Sequence, residues 1–173
     1  LFRSFWDADD EPKVNEITKM IRIAESKKKA IAIGEFARYD FNEKKYILQK
    51  KVKDKSLNLQ NIARQPGIWR WAFSKSVIDS IHFPELNMGE DQIYLLRIKF
   101  SESCIFFYDE ITYVYTINRP GQLTGSEYGL KNSLDALRIA LIEFEDLCPS
   151  DKKKFNCIIT FKLLVSYLKR ITR

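Results

Sequence analysis

Three carboxylates within four residues, Asp7-Ala8-Asp9-Asp10, set the first limit on how this chain folds. Carboxylates packed that closely repel one another and lose hydration if buried, so the segment has to turn at a surface. Ser4-Phe5-Trp6 just ahead reads as the end of a buried strand. Pro12 just behind suits the first turn of a helix, with Val14, Ile17, Ile21 and Ala24 on one face and Lys27 to Lys29 near its end. Ala30-Ile31-Ala32-Ile33-Gly34 is then a short apolar strand, and Phe36 to Asp40 and Lys45 to Gln49 flank the polar turn Asn42-Glu43-Lys44 as a hairpin. A strand, an acidic turn, a helix and another strand in succession predict a mixed α/β or α+β architecture.

The remainder continues the alternation. Leu57 to Ala63 reads as a short helix, Ile68 to Phe73 as a strand of alternating aromatic and polar residues, and Ser74 as a cap for a helix from Lys75 to Ile81. Glu90 to Phe100 is helical, with Ile93, Leu96, Arg97 and Phe100 at helical spacing and Gly89 at its start. Cys104 to Tyr108 and Ile111 to Ile117 read as two strands broken by Asp109-Glu110, followed by the loop Asn118-Arg119-Pro120-Gly121-Gln122. Leu130, Leu134, Leu137, Leu141 and Phe144 mark a long helix closed by Pro149. A last helix begins near Phe155, with Lys162, Ser166, Lys169 and Arg173 as a narrow polar stripe on an otherwise apolar surface.

Charge and cysteine usage narrow the classes. The net charge of +6 resides in residues 151–173, where seven Lys or Arg face the single acid Asp151; the preceding 150 residues are balanced. An excess confined to one end argues against a nucleic-acid-binding surface and for an anionic surface met by that end. Cys104, Cys148 and Cys157 are an odd, widely spaced set, unlike a disulfide framework or a paired-thiolate zinc site, and fit buried or half-buried thiols in a reducing cytoplasm. His82 is the single histidine, which excludes histidine triads and multi-histidine metal sites. No run of 18 uncharged apolar residues occurs and the amino end has no signal-peptide pattern.

Four constellations have chemistry within reach. Asp7, Asp9 and Asp10 offer hard oxygen ligands to Mg²⁺ or Mn²⁺, or form an acidic cap on the following helix; an EF-hand fails, since Pro12 and Thr18 occupy the positions that need Gly and Glu. Asp91, beside Glu90 at a helix start, is kept ionised by the helix dipole and suits proton acceptance from a hydroxyl, or is an ordinary acidic first turn. Trp69 and Trp71 suit stacking on a sugar, or simply fill a core. Arg119 and Gln122, in a tight turn, suit a phosphate or merely connect elements.

The order of these segments is more specific than any one of them. Ser4-Phe5-Trp6-Asp7-Ala8-Asp9-Asp10, then Phe83-Pro84-Glu85-Leu86-Asn87-Met88-Gly89-Glu90-Asp91, then Tyr113-Val114-Tyr115 and Pro120-Gly121-Gln122-Leu123-Thr124, resembles glycosyltransferase family 2 over residues 3 to 125. Bacterial members acting on capsule, lipopolysaccharide or other cell-envelope glycans are the most similar. Ile68-Trp69-Arg70-Trp71-Ala72-Phe73-Ser74-Lys75-Ser76 sits where that family has its aromatic-basic acceptor segment.

The resemblance implies a partial GT-A-type α/β fold over residues 1–125 with a helical carboxyl-terminal extension at 126–173. It implies an inverting, metal-dependent transferase moving a sugar from a nucleoside diphosphate to a glycan or lipid-linked acceptor. Asp7, Asp9 and Asp10 would form the DXD-type motif, with Mg²⁺ or Mn²⁺ at Asp9 and Asp10. Asp91 would be the catalytic base with Glu90 as its neighbour, Arg119 and Gln122 would lie near the leaving diphosphate, and Trp69 and Trp71 near the acceptor. In the family the strands that grip the base and ribose precede the DXD motif, whereas here six residues precede Asp7. The expectation is therefore a shortened or remnant donor site prone to self-association, with a non-catalytic binding or structural domain as the alternative. The expected location is the cytoplasm, with residues 151–173 either packed on the domain or resting on the cytoplasmic face of the membrane.

Overall fold

The computed structural model describes residues 1–47, 63–98, 100–122, 129–146 and 153–172. They form two compact units that interleave along the chain: Leu1–Ser56, Ile68–Asp79 and Ser103–Gln122 make the first, and Leu57–Gly67, Ser80–Glu102 and Leu123–Arg173 the second. The helices beyond residue 125 thus share a unit with the helix carrying Glu90 and Asp91.

The first unit is a mixed sheet. Its strands are β1 (Phe2–Ser4), β2 (Glu11–Pro12), β3 (Ile31–Asp40), β4 (Lys45–Ile47), β5 (Trp71–Ser74) and β6 (Ile105–Ile117), in the order β1-β5-β3-β6-β2, with β4 also paired to β3. Only β3 and β6 run parallel; β1, β5, β4 and β2 are antiparallel to their neighbours. β3 is the spine, taking β5 against its first residues and β4 against its last. Helix α1 (Val14–Ser26) packs Ile17, Met20 and Ala24 against Ala32 and Ala72, with Phe2, Ile21, Phe106 and Tyr108 around them.

Several boundaries differ from the sequence reading for identifiable reasons. Pro12 does not open the helix: it pairs with Tyr113 on the edge strand β2, a place proline tolerates, and Lys13 donates its N–H to the Thr112 carbonyl at 2.8 Å before α1 starts. Val14 is consequently exposed, and Met20 takes a buried place on the inner face. The run Ala30–Gly34 continues through Glu35 into one ten-residue strand. Asp109 and Glu110 do not break the later strand either; they are exposed within β6, and the pairing with β3 shifts register between Gly34, Glu35 and Phe36 to absorb the extra residues. At Gly34 the strands approach so closely that a Cβ would stand 2.2 Å from Thr112 Oγ1 and 2.3 Å from its Cγ2. Ile68–Arg70 is a single 3₁₀ turn, and β5 begins only at Trp71.

The expected hairpin is present as β3 and β4. Asp40 Oδ1 accepts the N–H groups of Asn42 and Glu43 at 3.0 and 3.1 Å, Oδ2 accepts from Asn118 Nδ2 at 2.8 Å, and these donors hold its carboxyl below the usual range. Gln49 and residues 57–62 of the expected short helix lie outside the described residues.

The second unit is helical: α3 (Glu90–Arg97), α4 (Gly129–Asp146) and α5 (Lys153–Ile171); the short α2 (Lys75–Ile78) belongs to the first unit. α3 ends at Arg97 and not at Phe100, because Ile98 is extended. Its core holds Ile93, Leu95 and Leu96 with Ala136, Ala140, Ile159 and Leu163, and the Phe100 ring meets Phe155 edge-on at 5.6 Å. The Arg97 guanidinium binds Glu143 of α4 through Nε at 3.0 Å and Nη2 at 2.9 Å, and its Nη1 donates to the His82 carbonyl at 2.8 Å. His82 is exposed, in an irregular stretch without a turn. Cys104 is half-buried and Cys157 exposed, the latter against the expectation of burial. Cys148 and Pro149 lie outside the described residues.

Candidate functional site

The acidic turn is pinned at both ends by the sheet. Ahead of it, β1 pairs with β5, the Ser4 hydroxyl donates to the Trp71 carbonyl at 2.6 Å, and Trp6 Nε1 donates to Ser4 Oγ at 3.0 Å. Behind it, Glu11 and Pro12 pair with Val114 and Tyr113. The turn closes on itself through Asp10 N–H to the Asp7 carbonyl at 3.3 Å. Four residues carrying three negative charges are thus confined between β1 and β2.

β6 supplies contacts to the backbone of Asp7 and the carboxylate of Asp10. Asp7 N–H donates to the Tyr113 hydroxyl at 3.0 Å, and Asp10 Oδ1 accepts the Thr116 N–H at 2.7 Å. Asp9 Oδ2 lies 3.4 Å from Arg119 Nη1, a half-exposed ion pair of small energetic weight. Burial raises the Asp10 pKa above the ordinary value, and Asp7 and Asp9 add to the rise; the Thr116 amide and nearby Tyr113 hydroxyl pull the other way without cancelling it. Asp7 keeps much of its surface in solvent, yet desolvation of its carboxyl, then the Asp9 charge, raise its pKa too. Burial first, and the Asp10 and Asp7 carboxylates after it, push the Tyr113 hydroxyl far up, so it stays a protonated hydroxyl. Asp10 Oδ2 is buried and makes no hydrogen bond of normal geometry.

The turn Arg119-Pro120-Gly121-Gln122 is shaped to present Arg119. Gln122 N–H returns to the Arg119 carbonyl at 3.2 Å, and Gly121 at φ 81° follows proline, the pattern of a type II turn. Gln122 Nε2 donates to the Thr116 carbonyl at 2.7 Å and approaches the Tyr115 hydroxyl at 3.4 Å, so its amide nitrogen braces the turn against β6. Leu123 and Thr124 lie outside the described residues.

Trp69, on the 3₁₀ turn, lies nearly parallel to the rings of Tyr113 and Tyr115, at 4.7 and 5.5 Å, and meets Phe36 edge-on at 4.7 Å. It is partly exposed, whereas Trp71 is fully buried in β5. Trp71 therefore has no face to offer an acceptor; it is core, and Trp69 alone keeps that possibility. Buried Arg70 lies 5.6 Å from the Phe36 ring and 3.5 Å from the Gly34 carbonyl, its pKa lowered to about 10 by burial, with Glu35 opposing the shift.

Glu90 and Asp91 belong to the second unit, at the start of α3. Gly89 caps that helix with a left-handed φ of 82°, and a Cβ there would stand 3.0 Å from Ala136 Cβ and 3.3 Å from Leu163 Cδ2, so the helix start is fixed by backbone shape and close packing. Asp91 Oδ1 accepts the Gln92 N–H at 2.7 Å.

The first unit therefore brings together Asp7, Asp9, Asp10, Arg119, Gln122 and Trp69 from three stretches of sequence. Sequence reasoning missed Tyr113, Tyr115 and Thr116 as their common support. The signal was the two-residue spacing of Tyr113 and Tyr115, which puts both rings on one face of a strand.

No protein-family model matches the chain, and no curated protein does. Two crystal structures of S. aureus TarS, a cell-wall teichoic acid glycosyltransferase, are similar to it. The structure of TarS residues 1–349 has a TM-score of 0.56 at 17% identity, covering 98% of this chain and 46% of that one. A second TarS structure has a TM-score of 0.55 at 16% identity, covering 98% and 28%. The chain spans less than half of either TarS chain. At such identities the likeness is one of fold: a mixed α/β arrangement that matches part of TarS.

Proposed function

We propose that this chain carries the diphosphate-handling and acceptor-handling parts of an inverting, metal-dependent glycosyltransferase of family 2, acting in cell-envelope polysaccharide synthesis. The donor would be a nucleoside diphosphate sugar and the acceptor a glycan or lipid-linked glycan. One observation carries the reading: within a glycosyltransferase-like fold, a strand-end turn of three carboxylates is braced by Tyr113 and Thr116 with a cation, Arg119, at its side.

The residues fit a divalent cation. Burial disfavours the charged forms of Asp7 and Asp10, and Asp10 Oδ2 is an orphaned buried oxygen; a cation would relieve both. Among the described residues no three His, Cys, Asp or Glu side chains form a metal cage. A Mg²⁺ or Mn²⁺ ion here would be held by one or two carboxylates, Asp9 and Asp10, together with substrate phosphates. Such an ion would supply charge neutralisation for the departing diphosphate.

The chain's own groups then divide the work. Arg119, in a turn that holds it beside Asp9, exchanges a weak carboxylate contact for a phosphate oxygen. For the acceptor hydroxyl the sequence resemblance implies Asp91 as the base, which would take its proton as the oxygen bonds to the anomeric carbon and the bond from that carbon to the diphosphate oxygen breaks with inversion. Partly exposed Trp69 offers an aromatic face to the acceptor sugar.

Titration calorimetry of the chain with nucleoside diphosphates, with and without Mn²⁺, tests the reading. We expect metal-dependent binding that Asp10→Asn abolishes. Binding that ignores both the metal and this substitution would refute the diphosphate assignment.

A further inference from the structure

We infer that α4 and α5 form a docking face for an anionic lipid surface. α5 is apolar on two sides. Phe155, Ile159 and Leu163 are buried within the second unit, while Cys157, Phe161, Leu164, Leu168 and Ile171 form a second, solvent-exposed stripe. Phe161 is 63% exposed, Leu168 45% and Ile171 50%, and their helical spacing makes them one contiguous apolar patch. α4 extends the same surface with Leu141 and Ile142, 52% and 65% exposed. Between the helices, Leu137, Leu141, Phe144, Phe161 and Leu164 line an apolar cleft of about 320 Å³.

Charge selects the occupant. α4 has more acids than bases (Asp135, Glu143, Glu145 and Asp146 against Lys131 and Arg138), so the positive charge lies on α5, where residues 153–171 contain five Lys or Arg and no acid and Lys153, Lys154 and Lys169 stand exposed beside the stripe. A second copy laid symmetrically on this stripe would bring Lys153, Lys154 and Lys169 against the same three cations of its partner. Anionic headgroups complement them instead, while the acyl region takes the aromatic and aliphatic side chains. No described helix is long and apolar enough to cross a membrane, so α5 would lie in the interface plane. This inference does not depend on the transferase reading.

Co-sedimentation of the chain with phosphatidylcholine vesicles, and with vesicles containing phosphatidylglycerol, is the test, with sedimentation velocity run on the lipid-free protein. We expect binding only to the anionic vesicles, lost on raising the salt. Phe161→Ser/Leu168→Ser should reduce it tenfold or more with the helical circular dichroism unchanged. Lys153→Gln, Lys154→Gln and Lys169→Gln, which leave the apolar contacts in place, should each lower partition roughly fivefold. Equal binding to neutral vesicles, no binding to either, or a lipid-free dimer that Phe161→Ser/Leu168→Ser dissociates would overturn the proposal.

Discussion

Gly34→Ala tests the closest approach in the sheet. The new Cβ would lie 2.2 Å from Thr112 Oγ1, 2.3 Å from Cγ2 and 2.8 Å from Cβ, where ordinary contacts lie beyond about 3.5 Å. Thr112 is fully buried, β-branched, and donates to the Glu35 carbonyl at 3.2 Å, so it cannot swing aside without losing that bond. The strands must part by about an ångström, an overpacking cost of about 1–3 kcal/mol. Restricting the unfolded chain returns about 0.4–1 kcal/mol. We expect a net loss of about 1–2 kcal/mol, or roughly 3–6 °C in Tm. Trp6, Trp69 and Trp71 all belong to the first unit, so urea unfolding followed by tryptophan fluorescence reads the loss where it occurs. Thr112→Ala removes the two nearest atoms. In a double-mutant cycle it should recover about 1 kcal/mol of the Gly34→Ala penalty. Additive effects, or a Gly34→Ala variant as stable as the parent, would show that the approach is not tight and that the register of β6 does not depend on it.

Asp10→Asn should leave stability at neutral pH unchanged or slightly raised while removing metal-dependent binding; a fall in urea midpoint of more than about 1 kcal/mol equivalent would contradict this. The reason is that folded Asp10 and Asp7 have raised pKa values, so their contribution to stability declines as pH rises from the unfolded aspartate value through the folded ones. Asp40 has the opposite sign: its folded pKa is depressed, so its stabilisation is present above the unfolded value and is lost as pH falls through the folded one. Asp40→Asn should therefore flatten the acid limb of a stability–pH curve, and an unaltered limb would count against the hydrogen bonds described. In an active full-length protein, Asp91→Asn should lower turnover by roughly 10²-fold with donor affinity kept; lost affinity at an unchanged rate would reassign Asp91 to binding.

The acidic turn, the hairpin at Asn42-Glu43-Lys44, the start of α3 at Gly89 and both long helices were legible in the sequence, because each rests on local chemistry: clustered charge, turn formers, a glycine before acids, apolar periodicity. What was not legible came from pairing between distant strands. Nothing local tells Pro12 that Tyr113 will be its strand partner, or lets Glu35 continue β3 through a register shift. Trp69 and Trp71 differ by two residues and read alike, yet the 3₁₀ turn ends between them, leaving one partly exposed and burying the other. The helical spacing of Leu137 and Leu141 likewise marks one face, but how much of that face a neighbour covers is decided by α5, and Leu141 stays exposed.

The position of β6 also has a temporal consequence. β6 lies between β3 and β2 and supplies the Tyr113 acceptor and the Thr116 donor to the acidic turn, yet among the described residues it is the last strand of the sheet along the chain. At about 5–20 residues per second, β2 waits on the order of ten seconds during synthesis before its partner exists. Until then α1, β3 and the β4 hairpin have one another and, once it emerges, β5, while β3 presents unpaired backbone along the edge that β6 will occupy. The acidic turn should therefore be among the last parts of the first unit to acquire native protection in pulse-labelled hydrogen exchange, although it stands among the first residues made.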